Sequence, residues 1–510
     1  MVEKRGIDWS SLWKKDDWVS VWIGFLILIV FLAGFKFSMP SWKWMSDGAF
    51  QKKVEGTIEK LERLAKDAEA KGEHAVKASA LAAVGAIKSK ERKAVGEAGK
   101  KLEEAAKGAK DKDVKKAGEK LGKDLKDWSG QLIGKVFSGG NLLRMVYLFI
   151  ALAILGSIGI IVMGQPVSKF IVGFPVVYFL GVLAFIIGNN YTVSYWGLEV
   201  VFWALILGLV VSNILRVPDW LKPAIRTEYF IKIGLVLLGA EVLFPTIAKV
   251  GAYGIVQSVL VIAVVFYFCF WVAKKLGLDD EFASILGTAV SICGVSAAIA
   301  AGGAIKGDPK KVSHTISLVL LCAIPMLILE PLIAKAVGMA PEVAGAWIGG
   351  TIDTTGAVVA AGAIAGEAAM AVAVVVKMAQ NVLIGVAAFL LALWFVLKGR
   401  EVGEAPRAIE IWYRFPKFVV GFLVASIVFS FFMSEAFAKA ITASTSGFRV
   451  WWFTLAFICI GLETNFKELV AMGGGRPAIA FLLAQLFNVF WTLLLAYLLF
   501  GGVLFPPPKF

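Results

Sequence analysis

Two short stretches place hydroxyl-bearing residues and a glycine in the middle of apolar runs. One is Ser291-Ile292-Cys293-Gly294-Val295-Ser296, inside residues 282–305. The other is Asp353-Thr354-Thr355-Gly356, inside residues 343–364. A helix interrupted in hydrocarbon leaves amides and carbonyls unpaired, at several kcal/mol each unless protein or water takes them up. The half-helix that restarts aims its free N–H groups, equivalent to about half a positive charge, into the interior. Such a terminus is suited to anions. Gly294, Val295 and Ser296 would form one terminus; Thr354, Thr355 and Gly356 would form the other. Ser291, Ser296, Thr354 and Thr355 add hydroxyl donors that suit a tetrahedral oxyanion, and Cys293 is grouped with them as a substrate contact. Small residues also serve simply to let helices approach closely. That explanation suffices for one stretch alone, but two in register point to a binding site.

Lys377, in VVVKMAQN, completes the substrate set. An unpaired ammonium at the centre of a span costs roughly 2.5–3.5 kcal/mol even on insertion scales, so Asp353, a bound anion, or each in turn is its expected partner. Asp353 is expected to carry a coupling proton or help bind sodium. Gln380 and Asn381 extend the polar lining and belong with Asp353 as coupling-ion residues. Glu330 precedes Pro331 and reads as an interfacial carboxylate at a kink. Glu241 and Glu463 read mainly as helix ends.

The elements that hold these residues are legible from composition. Of 510 residues 58% are hydrophobic, and apolar runs of about 20 residues recur, long enough to cross a bilayer as helices. They cover 19–35, 143–163, 170–187, 195–211, 255–272, 312–332, 369–397, 418–432, 451–460 and 478–500. The expected fold is an all-α polytopic membrane protein with multiple passes through a cell (inner) membrane. Residues 1–50 hold a first transmembrane helix. Residues 51–142 form a Lys/Ala/Glu-rich extramembrane insert, and 143–510 form a transporter domain. In the insert Val54, Ile58, Leu61 and Leu64 recur at helical spacing, and Gly96, Gly99 and Gly108 interrupt the later part; one or two exposed helices are expected.

The formal charge of +14 fits positive helix flanks and anionic lipid better than nucleic acid. Four cysteines lie in apolar segments without metal or redox spacing. With two histidines, no HExxH and no GxxxxGK[ST], neither an embedded enzyme, nor ATP drive, nor any cofactor is indicated. The lysines and arginines of the short loops set the N-terminus inside and the insert outside. The loops hold Arg216, Lys222 and Arg226; Lys274 and Lys275; Lys398, Arg400, Arg407, Arg414 and Lys417; and Lys467 and Arg476. Lys306, Lys310 and Lys311 stay inside if 282–305 enters and returns, and 343–366 must then do so from outside. Two broken helices that cross fully are the alternative. LLGAEVLF (237–244) matches CIGLETNF (459–466) on helices of opposite direction, the mark of an inverted repeat.

GTAVSICGVSAAIAA (287–301), GLVLLGAE (234–241), VVAAGA (358–363) and GLETNFKEL (461–469) together resemble the sulfate-exporter family of YeiH-type membrane proteins. The resemblance covers roughly 166–500 and leaves out the first span and the insert. It implies kinship with cation–proton antiporters and bile-acid symporters: inverted repeats, two interrupted helices and elevator-like movement. The implied activity is secondary transport, export included, of sulfate or a related sulfur anion with proton or sodium coupling. Asp353, Thr354 and Thr355 stand where the family often carries a histidine and a glutamate. An organic acid or sulfonate carrier, a receptor signalling through the insert, and a homo-oligomer are compatible with the same residues.

Overall fold

The computed structural model describes residues 11–196, 198–398, 412, 415–467 and 475–508. These residues are helical, with one isolated bridge between Trp44 and Asn190 and no strand among them. Among the described residues, seven helices are long and apolar enough to cross a membrane. The chain is thus an all-α polytopic membrane protein. It divides into two compact units, Met1–Phe37, Ala151–Ala184 and Val201–Phe510 in one, Ser38–Ile150 and Phe185–Val200 in the other. Arg400, Arg407 and Arg414 lie outside the described residues.

Helices of nine residues or more are numbered in chain order. α1 (Asp16–Leu32) precedes the insert, which is a small domain: α2 (Asp47–Glu55), α3 (Ile58–Ala70), α4 (His74–Lys88), α5 (Arg92–Lys107) and α6 (Lys112–Ser129). This is more than one or two exposed helices. Phe50, Val54, Leu61, Val76, Leu102 and Leu125 are buried in a core of their own. Gly99 serves close packing: a Cβ there would lie 2.8 Å from the Gly122 carbonyl oxygen of α6. Arg92 ties the ends of the domain together, donating to the Met45, Trp128, Ser129 and Gln131 carbonyls and pairing with Asp47 at 2.9 Å.

α7 (Gly139–Val162) and α8 (Val167–Gly188) lead to the remaining helices. These are α9 (Val200–Val210), α10 (Thr227–Glu241), α11 (Phe244–Lys275), α12 (Asp280–Ser291), α13 (Gly294–Ala304) and α14 (Pro309–Ala336). There follow α15 (Pro341–Thr351), α16 (Thr355–Ala365), α17 (Glu367–Val382), α18 (Ile384–Leu397), α19 (Lys417–Phe431), α20 (Glu435–Glu463) and α21 (Arg476–Phe500).

Both interrupted stretches turn back on themselves. The chain leaving α13 returns to the start of α12: Asp308 N donates to Glu281 Oε1 at 2.7 Å, and Lys311 pairs with Asp279 at 2.7 Å. The outer ends of α15 and α16 likewise share the first turns of α17, where Gly345 faces Ala369 and Val372, and Gly362 faces Met370. Two hairpins result. Their tips meet at Gly294, whose φ is +32°; a Cβ there would lie 2.3 Å from Val319 Cγ1 and 3.1 Å from Asp353 Cβ. Only glycine suits both that backbone and that approach. Asp280 pairs with Lys274 at 2.7 Å and Lys398 at 2.9 Å, gathering the ends of α11, α12 and α18. α10 and α20 pack antiparallel, joined by Thr227–Glu463 at one end and Glu241–Arg449 at the other.

Candidate functional site

α12 ends where hydroxyls cease to support it. Ser284, Thr288 and Ser291 each donate to the carbonyl four residues back, a local bond that competes with the regular ladder. Carbonyls freed at the two breaks face inward, and long polar side chains take them up. Lys377 donates to Ile292 O at 2.7 Å and to Gln380 Oε1 at 2.6 Å. Gln380 donates to Ser291 O at 2.9 Å and Gly350 O at 3.4 Å. From α21, Gln485 donates to Thr351 O at 3.1 Å, and Asn488 to Val290 O at 3.2 Å. The negative ends of α12 and α15 are thereby held by one ammonium and three amides.

The restarting helices face elsewhere. Cys293, Val295 and Ser296 of the first hairpin and Thr354, Thr355, Gly356 and Ala357 of the second border one cavity of about 490 Å³. Asn381 joins them: Nδ2 donates to Thr355 Oγ1 at 3.1 Å, and its buried Oδ1 has no partner among the described residues. Cys293, before α13, offers no side-chain cap, whereas Thr354 accepts from Ala357 N at 3.2 Å.

The substrate and coupling residues named from sequence thus divide into two groups. Cys293, Val295, Ser296, Thr354, Thr355, Gly356 and Asn381 line the cavity. Ser291, Gly294, Asp353, Lys377 and Gln380 stand behind it. Ser291 commits its hydroxyl to Gly287 O, and among the described residues no ion pair joins Lys377 to Asp353. Asp353, 1% exposed, leaves Oδ2 without a partner among the described residues. Glu330 is buried within the protein: it is 3% exposed, neither carboxylate oxygen has a partner among the described residues, and it lies within electrostatic reach of Asp353 and Lys377.

The mouth of the cavity was less legible. Thr227, Glu228 and Lys232 of α10, Glu463 and Thr464 at the end of α20, and Asp17 of α1 line it. Lys232 pairs with Asp16 and Asp17, both at 2.7 Å, and with Glu228 at 3.5 Å. A lysine inside FIKIG carries the same signal as Lys377, while its 2.7 Å partners Asp16 and Asp17 lie more than 200 positions away in sequence. Glu463 accepts from Thr227 Oγ1 at 2.9 Å. It also borders a second cavity of about 660 Å³ that holds Arg216, Lys222 and Lys467, so it stands between a basic vestibule and the hairpin tips. A third cavity, about 420 Å³ and lined by Ile262, Phe266, Phe270, Leu390 and Trp394, has no ionisable group but Tyr267. It offers space for apolar chains.

A family model described as "Conserved hypothetical protein 698" matches residues 172–480, which span both hairpins and the mouth of the cavity formed by α10 and α20. A "UPF0324 membrane protein" of Nitratidesulfovibrio vulgaris is 43% identical over 373 residues, 70% of this chain and 64% of the relative. Another, from Rhodopirellula baltica, is 42% identical over 351 residues, 67% of this chain and 65% of the relative. The "UPF0324 inner membrane protein YeiH" of Escherichia coli K12 is 27% identical over 307 residues, 59% of this chain and 82% of the relative. The chain therefore spans slightly less than two thirds of the length of the first two relatives. No solved structure matches it. α1 and the insert fall outside the family match, whereas both hairpins and every residue lining the cavity except Asp17 fall within it: the chain belongs to the Conserved hypothetical protein 698 family, the YeiH-like UPF0324 membrane proteins.

Proposed function

We propose that this chain is a secondary active transporter of a small oxyanion-bearing solute, held between the two hairpin tips. One observation carries the reading: two half-helices from opposed hairpins begin at the wall of the same 490 Å³ cavity. Two N-termini bring partial positive charge and free amides without a mobile counterion. Ser296, Thr354 and Thr355 add hydroxyls. Broken helices that meet midway through the membrane are the usual seat of solute in secondary carriers.

Sulfate is the simplest solute of this class and the one suggested by the family resemblance. The cavity volume favours a larger organic acid or sulfonate, since pockets of 300–1,000 Å³ suit small organic ligands. Asp353, with Glu330 within electrostatic reach, is assigned to a coupling proton or sodium, because its Oδ2, without a partner among the described residues, is buried behind the tips. The antiparallel packing of α10 and α20, which carry the matching octapeptides, supports an inverted repeat and alternating, elevator-like access. The basic loop ends gathered beside α12 support a cytoplasmic mouth, a cytoplasmic N-terminus and an insert on the outside. The printed name of the YeiH relative supports the inner membrane.

The test is counterflow in proteoliposomes, with labelled sulfate, taurine and citrate each offered to vesicles loaded with the same unlabelled solute. Saturable accumulation of at least one is expected. Failure of all three, in vesicles holding folded protein, removes the transporter reading.

A further inference from the structure

We infer that the solute is a zwitterion, an oxyanion carrying an ammonium group on a short spacer; this rests on the transporter reading above. The cavity has two chemically different poles. At one, the α13 and α16 N-termini and the hydroxyls of Ser296, Thr354 and Thr355 offer donors to an oxyanion. At the other, acceptors are in excess. Glu463, Glu228 and Asp17 line the wall, and Lys232 is the one ammonium among the described lining residues. That ammonium already contacts Asp16, Asp17 and Glu228. Glu463 has the Thr227 hydroxyl and no ion pair among the described residues. Asn381, whose Nδ2 donates to Thr355 Oγ1 at 3.1 Å, belongs to the first pole, and its buried carbonyl oxygen has no partner among the described residues.

A bare dianion satisfies the first pole and is repelled by the second. An ammonium gives Glu463 a direct ion pair, which it lacks among the described residues although Arg226 is within electrostatic reach. The spacing fits a small molecule. A Cβ at Gly356 would lie 2.8 Å from Ile231 and 3.3 Å from Ile460. Thr227 lies one turn before Ile231 on α10, and Glu463 lies one turn after Ile460 on α20. The poles are therefore about 5–10 Å apart, one to two helical turns. Amino acids and amino sulfonates with a short chain belong to this class. The basic vestibule beyond Glu463 draws the oxyanion end inward.

The experiment compares paired solutes in counterflow by the wild-type chain: taurine against ethanesulfonate, β-alanine against propionate, and inorganic sulfate. At least one amino compound should exchange saturably and outcompete its deaminated partner about tenfold or more, a difference of the size one charge pair supplies. Glu463→Gln should shrink that preference about tenfold while leaving the melting temperature near wild type. Sulfate or a deaminated anion exchanging as well as the amino compounds overturns the zwitterion and leaves the transporter standing. No exchange of any solute overturns both. A preference unchanged in folded Glu463→Gln overturns the assignment of the ammonium to Glu463. If that variant does not fold, the wild-type panel still decides the solute class.

Discussion

Glu241 and Glu463 hold matching places in LLGAEVLF and CIGLETNF, at opposite ends of two antiparallel helices, and their surroundings differ. Glu241 lies 2.9 Å from the Arg449 guanidinium, which is 4% exposed and also reaches Glu367 of α17 at 3.2 Å. Glu463 has one hydroxyl, from Thr227, and faces two cavities. At the Glu241 end an arginine joins α10 and α20 to the base of the second hairpin. At the Glu463 end no such link is present among the described residues, and the gap is filled by cavity. In an alternating carrier this is the difference between a sealed side and an open side. One arginine accounts for it: a buried pair costs heavily when broken, whereas Glu463 bordering two cavities has no ion pair to break among the described residues.

The largest expected effect follows directly. Arg449→Met leaves Glu241 buried without its cation, which costs about 3–5 kcal/mol when one partner of a buried pair is removed. Thermal melting of the purified protein should show it, and Glu241→Gln in the same chain should recover much of the loss. Glu463→Gln should change stability by no more than about 0.5 kcal/mol. Equal losses at the two ends would erase the distinction between sealed and open sides.

A second comparison divides the two faces of the breaks. Carbonyl ends are wrapped by Lys377, Gln380, Gln485 and Asn488, while amide ends face the cavity. Lys377→Met removes the donor to Ile292 O and should cost about 1–3 kcal/mol, the penalty of a buried acceptor left unpaired. Ser296→Ala, on the amide side, should leave melting unchanged and weaken the solute's apparent affinity. A melting loss for Ser296→Ala as large as that for Lys377→Met would mean that the amide side is structural too.

Both breaks and the buried lysine were legible because each violates the composition of a membrane span, and a violation in hydrocarbon has to be compensated. Ser291 was read as part of the break and Lys377 as a substrate contact paired with Asp353 or the anion, but sequence could not say which helix terminus each would serve. That depends on the rotation of α17 against the tips. Glu463 was read as a helix end, which it is; its position between two cavities follows from α10 and the vestibule loops. Lys232 was hidden by apolar neighbours and by partners in α1. In the insert, Gly99 marks the crossing of α5 and α6, which cannot be told from a flexible break without a partner helix in view.

The smallest expected effect sharpens the contrast between capped and uncapped helix starts. α6, in the insert, begins under Asp111, whose carboxylate accepts from Asp113 N at 3.0 Å and Val114 N at 2.9 Å, with Lys71 alongside at 2.9 Å. The Val114 amide, and then Lys71, hold this carboxyl below its ordinary value of 3.8. A group whose folded value is depressed contributes stability that is fully present above the unfolded value and is lost as pH falls through the folded one. Protection of the Asp113 and Val114 amides, measured by hydrogen exchange and corrected for intrinsic rates, should therefore hold above pH 3.8 and fade below it. Asp111→Ala should abolish the protection at every pH and leave the membrane helices untouched. The N-terminus of α13 has no such cap, since Cys293 makes no side-chain bond to it. Its first amides should gain protection when a transported solute is added, and those of α6 should not. Equal response at both helix starts would mean that the membrane terminus is not where the solute's oxyanion sits.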